Sequence, residues 1–395
     1  MKIKLPKGFK ANGMHCGLKK KRKDLALFYS VKPAKCAALF TSNLVKAAPV
    51  VFCQKQLAKT NCIRAIIANS GNANCMTGER GLKDAKRMAK EVAREMHLSE
   101  KTVLVSSTGV IGRLMNMDPV IKGIPHLVKG LSEEGIIEAA EGIMTTDRFY
   151  KISSRTLNVK GKKVTIVGVA KGAGMINPNM ATMLAYIMTD VNISEKALRK
   201  ALTAVNEDSF NAITVDGDMS TNDTVVLLAN GAADNRMVTE KGHDFENFVK
   251  QLGHVMSEIA DMIVRDGEGA TKFVEVTVKG ARSFKTAKKG AKAIANSVLM
   301  KCAVHGGDPN WGRVASSIGS SGIKFDPNKM DVVLDGVVFL KNGRFVDPSA
   351  EKKKYVFKDS DVSIEVNLHQ GDKDACVHSC DISKKYIAIN SYYTT

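Results

Sequence analysis

Hydrophobic residues occur along the chain in two alternating patterns, short continuous runs and longer stretches with helical spacing. The short runs predict buried strands, at 63–68, 102–105, 181–188, 224–229 and 273–278. The periodic stretches predict amphipathic helices, at 82–96, 132–144, 194–207, 245–263 and 283–302. Between them, 155–159 and 163–169 form a hairpin pattern about Lys160 and Gly161. This alternation predicts a mixed α/β fold with strands buried beneath helices.

Local signals define several element ends. Ser132, followed by two acidic residues, and Ser194 have the composition of helix N-caps. Gly267 follows the longest helical stripe and is expected to end it. Near the end of the chain, strand-like patterns recur, at 332–340, 362–368 and 386–389.

Length and composition indicate a globular protein with a sizeable core. The chain has 395 residues, 44% of them hydrophobic, which favours two lobes and excludes a mainly disordered chain. No apolar run approaches the roughly 18 residues that a membrane span needs. The first residues have no apolar segment typical of a signal peptide, so a cytoplasmic protein is expected.

The charge is strongly positive. Lysine and arginine number 59 against 40 acidic residues, giving a net charge of +19, which suits anionic partners. A basic nucleic-acid-binding protein is therefore one hypothesis. Aromatic residues make up only 6% of the chain, however, so stacking platforms for single strands are scarce and nucleic acid is the less favoured partner.

The usual cofactor and metal motifs are absent from the sequence. None of the eight cysteines forms a CxxC pair. Cys376 and Cys380 flank His378, but no second half-site is visible, so no metal site is predicted there. The glycine-rich segment at 171–175 lacks the residues of a nucleotide loop, and 216–227 lacks the glycine and glutamate of a calcium loop. No cofactor is therefore predicted.

The segment 171–184 is the most informative part of the chain. A stretch with glycine and proline enters an apolar run, and Thr182 lies at the junction. Such a segment can hold a backbone carbonyl in a strained pose beside a hydroxyl group. Composition alone also allows an ordinary loop that enters a strand.

Six separated motifs resemble the ornithine acetyltransferase family, whose members are also called glutamate N-acetyltransferases and act in arginine biosynthesis. They are ANSGNAN at 68–74, STGVIG at 107–112, MTTD at 144–147, KGAGMINPNMATML at 171–184, DPNWGR at 308–313 and YTT at 393–395. The resemblance implies an α/β fold, an α+β sandwich of helices and mixed sheets like that of a group of self-cleaving aminopeptidases. It also implies acetyl transfer from N2-acetyl-L-ornithine to L-glutamate by a ping-pong route without a metal or cofactor.

The resemblance further implies that the chain cleaves itself between Ala181 and Thr182. Residues 1–181 would form an α chain and residues 182–395 a β chain, packed as one two-lobed unit that pairs into a heterotetramer. Thr182 would then be the nucleophile. Its new α-amine, with an ordinary pKa of about 7.7–8.0, would serve as general base.

The remaining site residues are also assigned by the resemblance. Thr108 and Gly109 would form the oxyanion hole. The substrate-binding set would be Thr145, Lys171, Thr182, Glu268, Asn390 and Thr395. Lys171 would meet a carboxylate and Glu268 a side-chain amine, and the last two residues of the set would require a docked C-terminal tail. From its loop context alone, Glu268 is expected to be a solvated acid.

Three questions stay open from the sequence. The residues after Asp147 depart from the family pattern, which leaves the acceptor preference undecided. Whether the substrate-binding threonine is Thr145 or Thr146 is a separate question, open by one residue. The use of acetyl-CoA as a second donor is undecided too. A related self-cleaving aminopeptidase, in which water takes the acyl group, is the alternative within enzymes.

Overall fold

The computed structural model describes residues 3–177 and 183–392. Within these residues, fourteen strands form two sheets, and eleven α-helices pack against them. The predicted mixed α/β class is therefore confirmed. Of the helices in the described part of the chain, none combines the length and apolar character that crossing a bilayer demands.

The first sheet has eight strands: β1 (Phe9–Met14), β2 (Leu25–Phe40), β3 (Cys62–Asn72), β4 (Val103–Val110), β5 (Lys151–Val159), β6 (Lys162–Lys171), β7 (Leu184–Thr189) and β8 (Thr224–Ala229). Their order is β4-β3-β2-β8-β7-β6-β5, with β1 paired to β2. The pairs β3–β4 and β7–β8 are parallel and the others antiparallel. Strands β7 and β8 thus lie between strands that all precede residue 172.

Helices cover both faces of this sheet. They are α1 (Ala48–Leu57), α2 (Gly78–Glu95), α3 (Met117–Lys129), α4 (Ile136–Ile143), α5 (Glu195–Glu207) and α6 (His243–Arg265). Alternate residues of β7 explain why its sequence is continuously apolar: Ile187 packs in the core under α5 and α6, whereas Tyr186 and Met188 pack in the core under α4. A strand buried on both faces reads as an unbroken hydrophobic run.

The second sheet comes entirely from the C-terminal part of the chain. Its strands are β9 (Phe273–Ala281), β10 (Asp331–Leu334), β11 (Val337–Lys341), β12 (Arg344–Phe345), β13 (Asp361–Asn367) and β14 (Lys373–Cys380). Their order is β12-β11-β10-β13-β9-β14. The remaining helices are α7 (Phe284–Ala295), α8 (Val298–Gly306), α9 (Trp311–Gly319), α10 (Ala350–Tyr355) and α11 (Lys384–Tyr392). Helix α7 packs on β9 and β14 and closes a separate apolar core.

Three sequence predictions about elements were wrong. The helix expected from Ser132 begins at Ile136, because the backbone of Ser132 pairs with that of Ala11 instead. The single helix expected at 283–302 is two helices, since Ser297 caps a new one by accepting a hydrogen bond from the Met300 N–H at 3.3 Å. The strand expected at 386–389 is part of helix α11.

Other element predictions are confirmed. Helix α5 begins after Ser194, whose hydroxyl accepts a hydrogen bond from the Ala197 N–H at 3.1 Å. The long helix α6 ends at Arg265, just before Gly267. The pattern at 332–340 is a hairpin of β10 and β11. Strand β7 begins at Leu184; the earlier part of its predicted range, Ala181 and Thr182, lies outside the described residues.

Candidate active site

A polar cleft of about 200 Å³ opens where the ends of β4 and β6 meet helix α11. Residues assigned from the sequence line it together: Thr108, Gly109, Thr145, Lys171, Glu268 and Asn390. Thr146 lines it too, so the choice between the two threonines stays open. Ala181, Thr182 and Thr395 lie outside the described residues. The cleft is thus built from segments far apart in sequence.

Thr108 and Gly109 lie at the end of β4. Gly109 has φ of +131°, and a Cβ there would lie 2.4 Å from the carbonyl carbon of Gly71, so only glycine fits this close approach of two backbones. The Thr108 hydroxyl accepts a hydrogen bond from Lys171 Nζ at 3.3 Å. A hydroxyl group at the cleft wall is thereby linked to a cation.

Lys171 is the last residue of β6, and its side chain is buried. Burial lowers its pKa, while the carboxylate of Asp147 opposes that shift. A second anion in the cleft, such as a substrate carboxylate, would stabilise the charged form further. The buried lysine is therefore suited to binding an anionic group.

A buried ion network supports the wall around Lys171. Lys151 Nζ lies 2.7 Å from Asp147 Oδ1 and 2.7 Å from Asp266 Oδ2, and all three side chains are fully buried. Burial would raise the pKa of Asp147, but the neighbouring lysines hold it well below its usual range. Asp147 also accepts hydrogen bonds from the backbone N–H groups of Thr145, at 2.9 Å, and Gly172, at 2.7 Å. The network thus fixes two segments of the cleft.

Glu268 is buried, contrary to the expectation of a solvated loop acid. Its backbone N–H donates to the Ala173 carbonyl at 2.8 Å, and a Cβ on Gly174 would lie 2.7 Å from its carboxylate. Its Oε2 accepts a hydrogen bond from Asn390 Nδ2 at 2.8 Å. This contact docks α11 against the cleft, so the C-terminal helix contributes to its wall.

Asp216 holds the chain just before the predicted cleavage segment. Its two carboxylate oxygens accept the backbone N–H groups of Met175, at 2.6 Å, and Ile176, at 2.9 Å. On the other side, the Met183 carbonyl accepts the N–H of Thr224 at 2.8 Å. Both flanks of 178–182 are therefore anchored. Sequence reasoning considered Asp216 only for a calcium loop and missed this role.

The two residues just before β8 are further polar groups that the sequence analysis missed. Asn222 lines the cleft and donates from Nδ2 to the carbonyls of Ala73, at 2.6 Å, and Ser107, at 2.8 Å, which ties β8 to the ends of β3 and β4. Asp223 is buried beside it, and its Oδ2 has no hydrogen-bond partner among the described residues. Burial raises the pKa of Asp223 well above its usual value. Asn222 and Asp223 come directly before a buried strand, which is the only signal the sequence offers for them.

A mixed α/β fold with a small cleft of threonine, lysine and glutamate side chains defines an enzyme that acts on small polar molecules. The chain belongs to the ArgJ family, which its sequence matches over residues 10–395. It is 46% identical to the arginine biosynthesis bifunctional protein ArgJ of Caldanaerobacter subterraneus subsp. tengcongensis, over 100% of this chain and 98% of the relative. It is 44% identical to the ArgJ protein of Thermotoga neapolitana, over 99% of this chain and 100% of the relative. The resemblance read from the six motifs is confirmed.

A solved structure agrees with this assignment. The crystal structure of the arginine biosynthesis bifunctional protein ArgJ of Bacillus halodurans superimposes with a TM-score of 0.51 at 41% sequence identity. The match covers 53% of this chain and 98% of that chain.

Proposed function

We propose that the protein transfers the acetyl group of N2-acetyl-L-ornithine to L-glutamate in arginine biosynthesis, through an acetyl ester on Thr182. The observation that carries this proposal is the convergence of Thr108, Gly109, Lys171 and Glu268 in one cleft. Membership of the ArgJ family supports the same reaction.

The proposed maturation is cleavage of the Ala181–Thr182 bond. The Thr182 hydroxyl attacks the Ala181 carbonyl, an N→O shift gives an ester, and water hydrolyses it to two chains. Anchoring of Ile176 by Asp216 and of Met183 by Thr224 supports this assignment, since both ends of the segment are held. The Bacillus halodurans chain matches about half of this one, as expected if that relative consists of two chains.

The proposed domain division follows from this cleavage, with an α chain of residues 1–181 and a β chain of residues 182–395. Strands β7 and β8 of the β chain would lie between β2 and β6 of the α chain, hydrogen-bonded to both. Such a shared sheet would keep the two chains together after cleavage. We further propose that two αβ units pair into a heterotetramer and act in the cytoplasm.

In the transfer itself, the α-amine of Thr182 accepts the proton of its own hydroxyl, which attacks the acetyl carbonyl of the donor. The Thr108 hydroxyl and the Gly109 N–H stabilise the resulting oxyanion. Ornithine leaves with the proton, and the amine of glutamate then attacks the ester and takes the acetyl group. Lys171 binds the α-carboxylate of each amino acid.

Glu268 would recognise the side-chain amine of the donor. Its carboxylate is buried, and its Oε2 already accepts one hydrogen bond, from Asn390. A carboxylate accepts several hydrogen bonds, so an ammonium group can bind Glu268 while the hydrogen bond from Asn390 is kept.

The name of the curated relatives includes the word bifunctional, and we therefore also propose glutamate acetylation from acetyl-CoA as a second activity.

The deciding experiment combines intact mass with an acetyl-transfer assay. Under denaturing conditions the wild type should give two masses, one for the fragment that ends at Ala181 and one for the fragment that begins at Thr182. Thr182→Ala should give the mass of one uncut chain. Thr156→Ala, on an exposed position of β5, is the matched control and should cleave normally. An active enzyme that consists of one unbroken chain would overturn the proposal.

The assay also separates the alternatives. Acetyl transfer to glutamate is measured in parallel from acetylornithine and from acetyl-CoA. An aminopeptidase would instead release its acyl group to water whether or not glutamate is present. A nucleic-acid-binding protein would be retained on duplex DNA at physiological salt and would show no acyl transfer.

A further inference from the structure

A cysteine, a histidine and a glutamate meet on one face of the second sheet. Cys376 and His378 are two residues apart on β14, the edge strand, so their side chains share a face. Glu275 on β9 is the register partner of His378. The candidate ligand atoms of the three side chains all lie within 4.8 Å of one another. None of the three lines the cleft described above.

The histidine is oriented from its other side. His378 Nδ1 lies 2.6 Å from Asp261 Oδ1 on helix α6, and the edge of its ring packs against Phe273 at a centroid distance of 4.9 Å. With Nδ1 engaged, Nε2 is the ring nitrogen that could bind a metal ion, and it lies 3.8 Å from Glu275 Oε2. A carboxylate that holds one nitrogen while the other binds metal is the usual arrangement around metal-ligating histidines.

We propose that Cys376, His378 and Glu275 bind a divalent metal ion of the zinc type, with Asp261 as the residue that orients the histidine. Thiolate, imidazole and carboxylate are the three donors that zinc uses in proteins, and water would complete a tetrahedron. The ligand atoms need to move together by only about an ångström, because ligands in such a site lie 2.0–2.3 Å from the ion. The sequence showed only the Cys376–His378 half of this site; the pairing of β14 with β9 supplies Glu275.

The charge around the site favours a cation. The carboxylates of Asp261 and Glu275 lie beside the two ring nitrogens of His378, at 2.6 Å from Nδ1 and 3.8 Å from Nε2. Such anionic surroundings would favour a bound cation. Metal binding must displace any proton on Nε2, and the thiol proton of Cys376 as well.

The site is tested by titrating the chelator-treated, full-length protein with Co²⁺, whose bond to a thiolate gives an intense near-ultraviolet absorption band. We expect the band to saturate at one Co²⁺ per copy of the protein and to disappear when Zn²⁺ is added. Cys376→Ser should abolish it. Cys302→Ser is the matched control, since Cys302 is an exposed thiol on α8, and it should keep the band unchanged.

Two variants of exposed or half-exposed carboxylates keep the test independent of folding defects. Asp261→Asn should weaken Co²⁺ affinity by about 10- to 100-fold, as loss of an orienting partner does elsewhere, and Glu275→Gln should weaken it by at least about tenfold. Both should fold and unfold cooperatively when metal-free, as the wild type does. Absence of the band in the wild type, its persistence in Cys376→Ser, or unchanged affinity in both carboxylate variants would overturn the proposal. None of these readouts depends on acetyl transfer or chain cleavage.

Discussion

Replacing Asp216 by asparagine tests whether the anchoring of residues 175 and 176 drives the proposed self-cleavage. The carboxylate accepts three backbone N–H groups, from Ile176 and Asp218 on one oxygen and from Met175 on the other. Asparagine has a single acceptor oxygen, and its NH₂ group would face the N–H donor or donors on the other side. The substitution therefore keeps the size of the side chain and removes at least one of these bonds.

The expected effect follows from the strength of such bonds. A hydrogen bond to a charged acceptor contributes about 1.5–3 kcal/mol. If that energy serves to hold the segment for attack, its loss slows cleavage by about 10- to 100-fold, since each 1.4 kcal/mol in a barrier is about tenfold in rate. If these bonds only stabilise the fold, the substitution would lower the free energy of unfolding by a similar amount, but the cleavage rate of the folded protein would be unchanged.

Asp335 provides the matched control. Its carboxylate accepts two backbone N–H groups, from Phe357 and Ser363, both at 2.6 Å, but it lies in the turn between β10 and β11 and does not line the cleft. Asp216→Asn and Asp335→Asn should lower the midpoint of thermal unfolding to a similar extent. On a denaturing gel followed over time after synthesis, only Asp216→Asn should accumulate the uncut chain. Equal cleavage rates in the two variants would refute the reasoning.

Three further substitutions test the cleft and its support. Lys151→Met removes the buried cation that Asp147 and Asp266 share, leaving Asp266 paired with Arg148 alone, and should lower the free energy of unfolding by about 3–5 kcal/mol. Lys279→Met breaks a pair with both partners about 40% exposed and should hardly move the urea midpoint; equal shifts would contradict the network's role. Thr108→Val should slow acetyl transfer by about 100- to 1,000-fold with little change in unfolding, as loss of one oxyanion donor does, and a rate near that of the wild type would remove this assignment. Glu268→Ala should raise KM for acetylornithine while self-cleavage continues; loss of both activities would indicate a structural role instead.

The central strands were predictable from the sequence because burial on both faces leaves an unbroken apolar run. Strand β8 has the predicted bounds, and every one of its residues is buried. The C-terminal helix was not predictable in this way. Its residues Tyr386 to Ile389 read as a strand, but four residues are too few to separate a period of two from a period of 3.6. Helix α11 lies on the surface, with no fully buried residue to reveal its period.

The site was predictable only through the family motifs. Neither composition nor spacing predicts that Asp147 and Asp266 contact the same lysine, because the Lys151–Asp266 contact joins residues 115 positions apart. Asp216 likewise contacts a loop 40 residues earlier in the chain. Such contacts depend on strand order, and the insertion of β7 and β8 between β2 and β6 cannot be read from local patterns.

Strand order also explains why the proposed cleavage need not destroy the enzyme. Thr108, Thr145 and Lys171 precede the proposed cleavage point, whereas Asp216, Glu268 and Asn390 follow it, and all of them line the same cleft. Neither chain alone would have a complete site. The backbone ladders of β7 with β6 and of β8 with β2 cross between the two parts of the chain and run through the buried centre of the sheet. Cutting one peptide bond before β7 would remove none of these ladders, so the cleft would keep its shape while Thr182 gained a free amine.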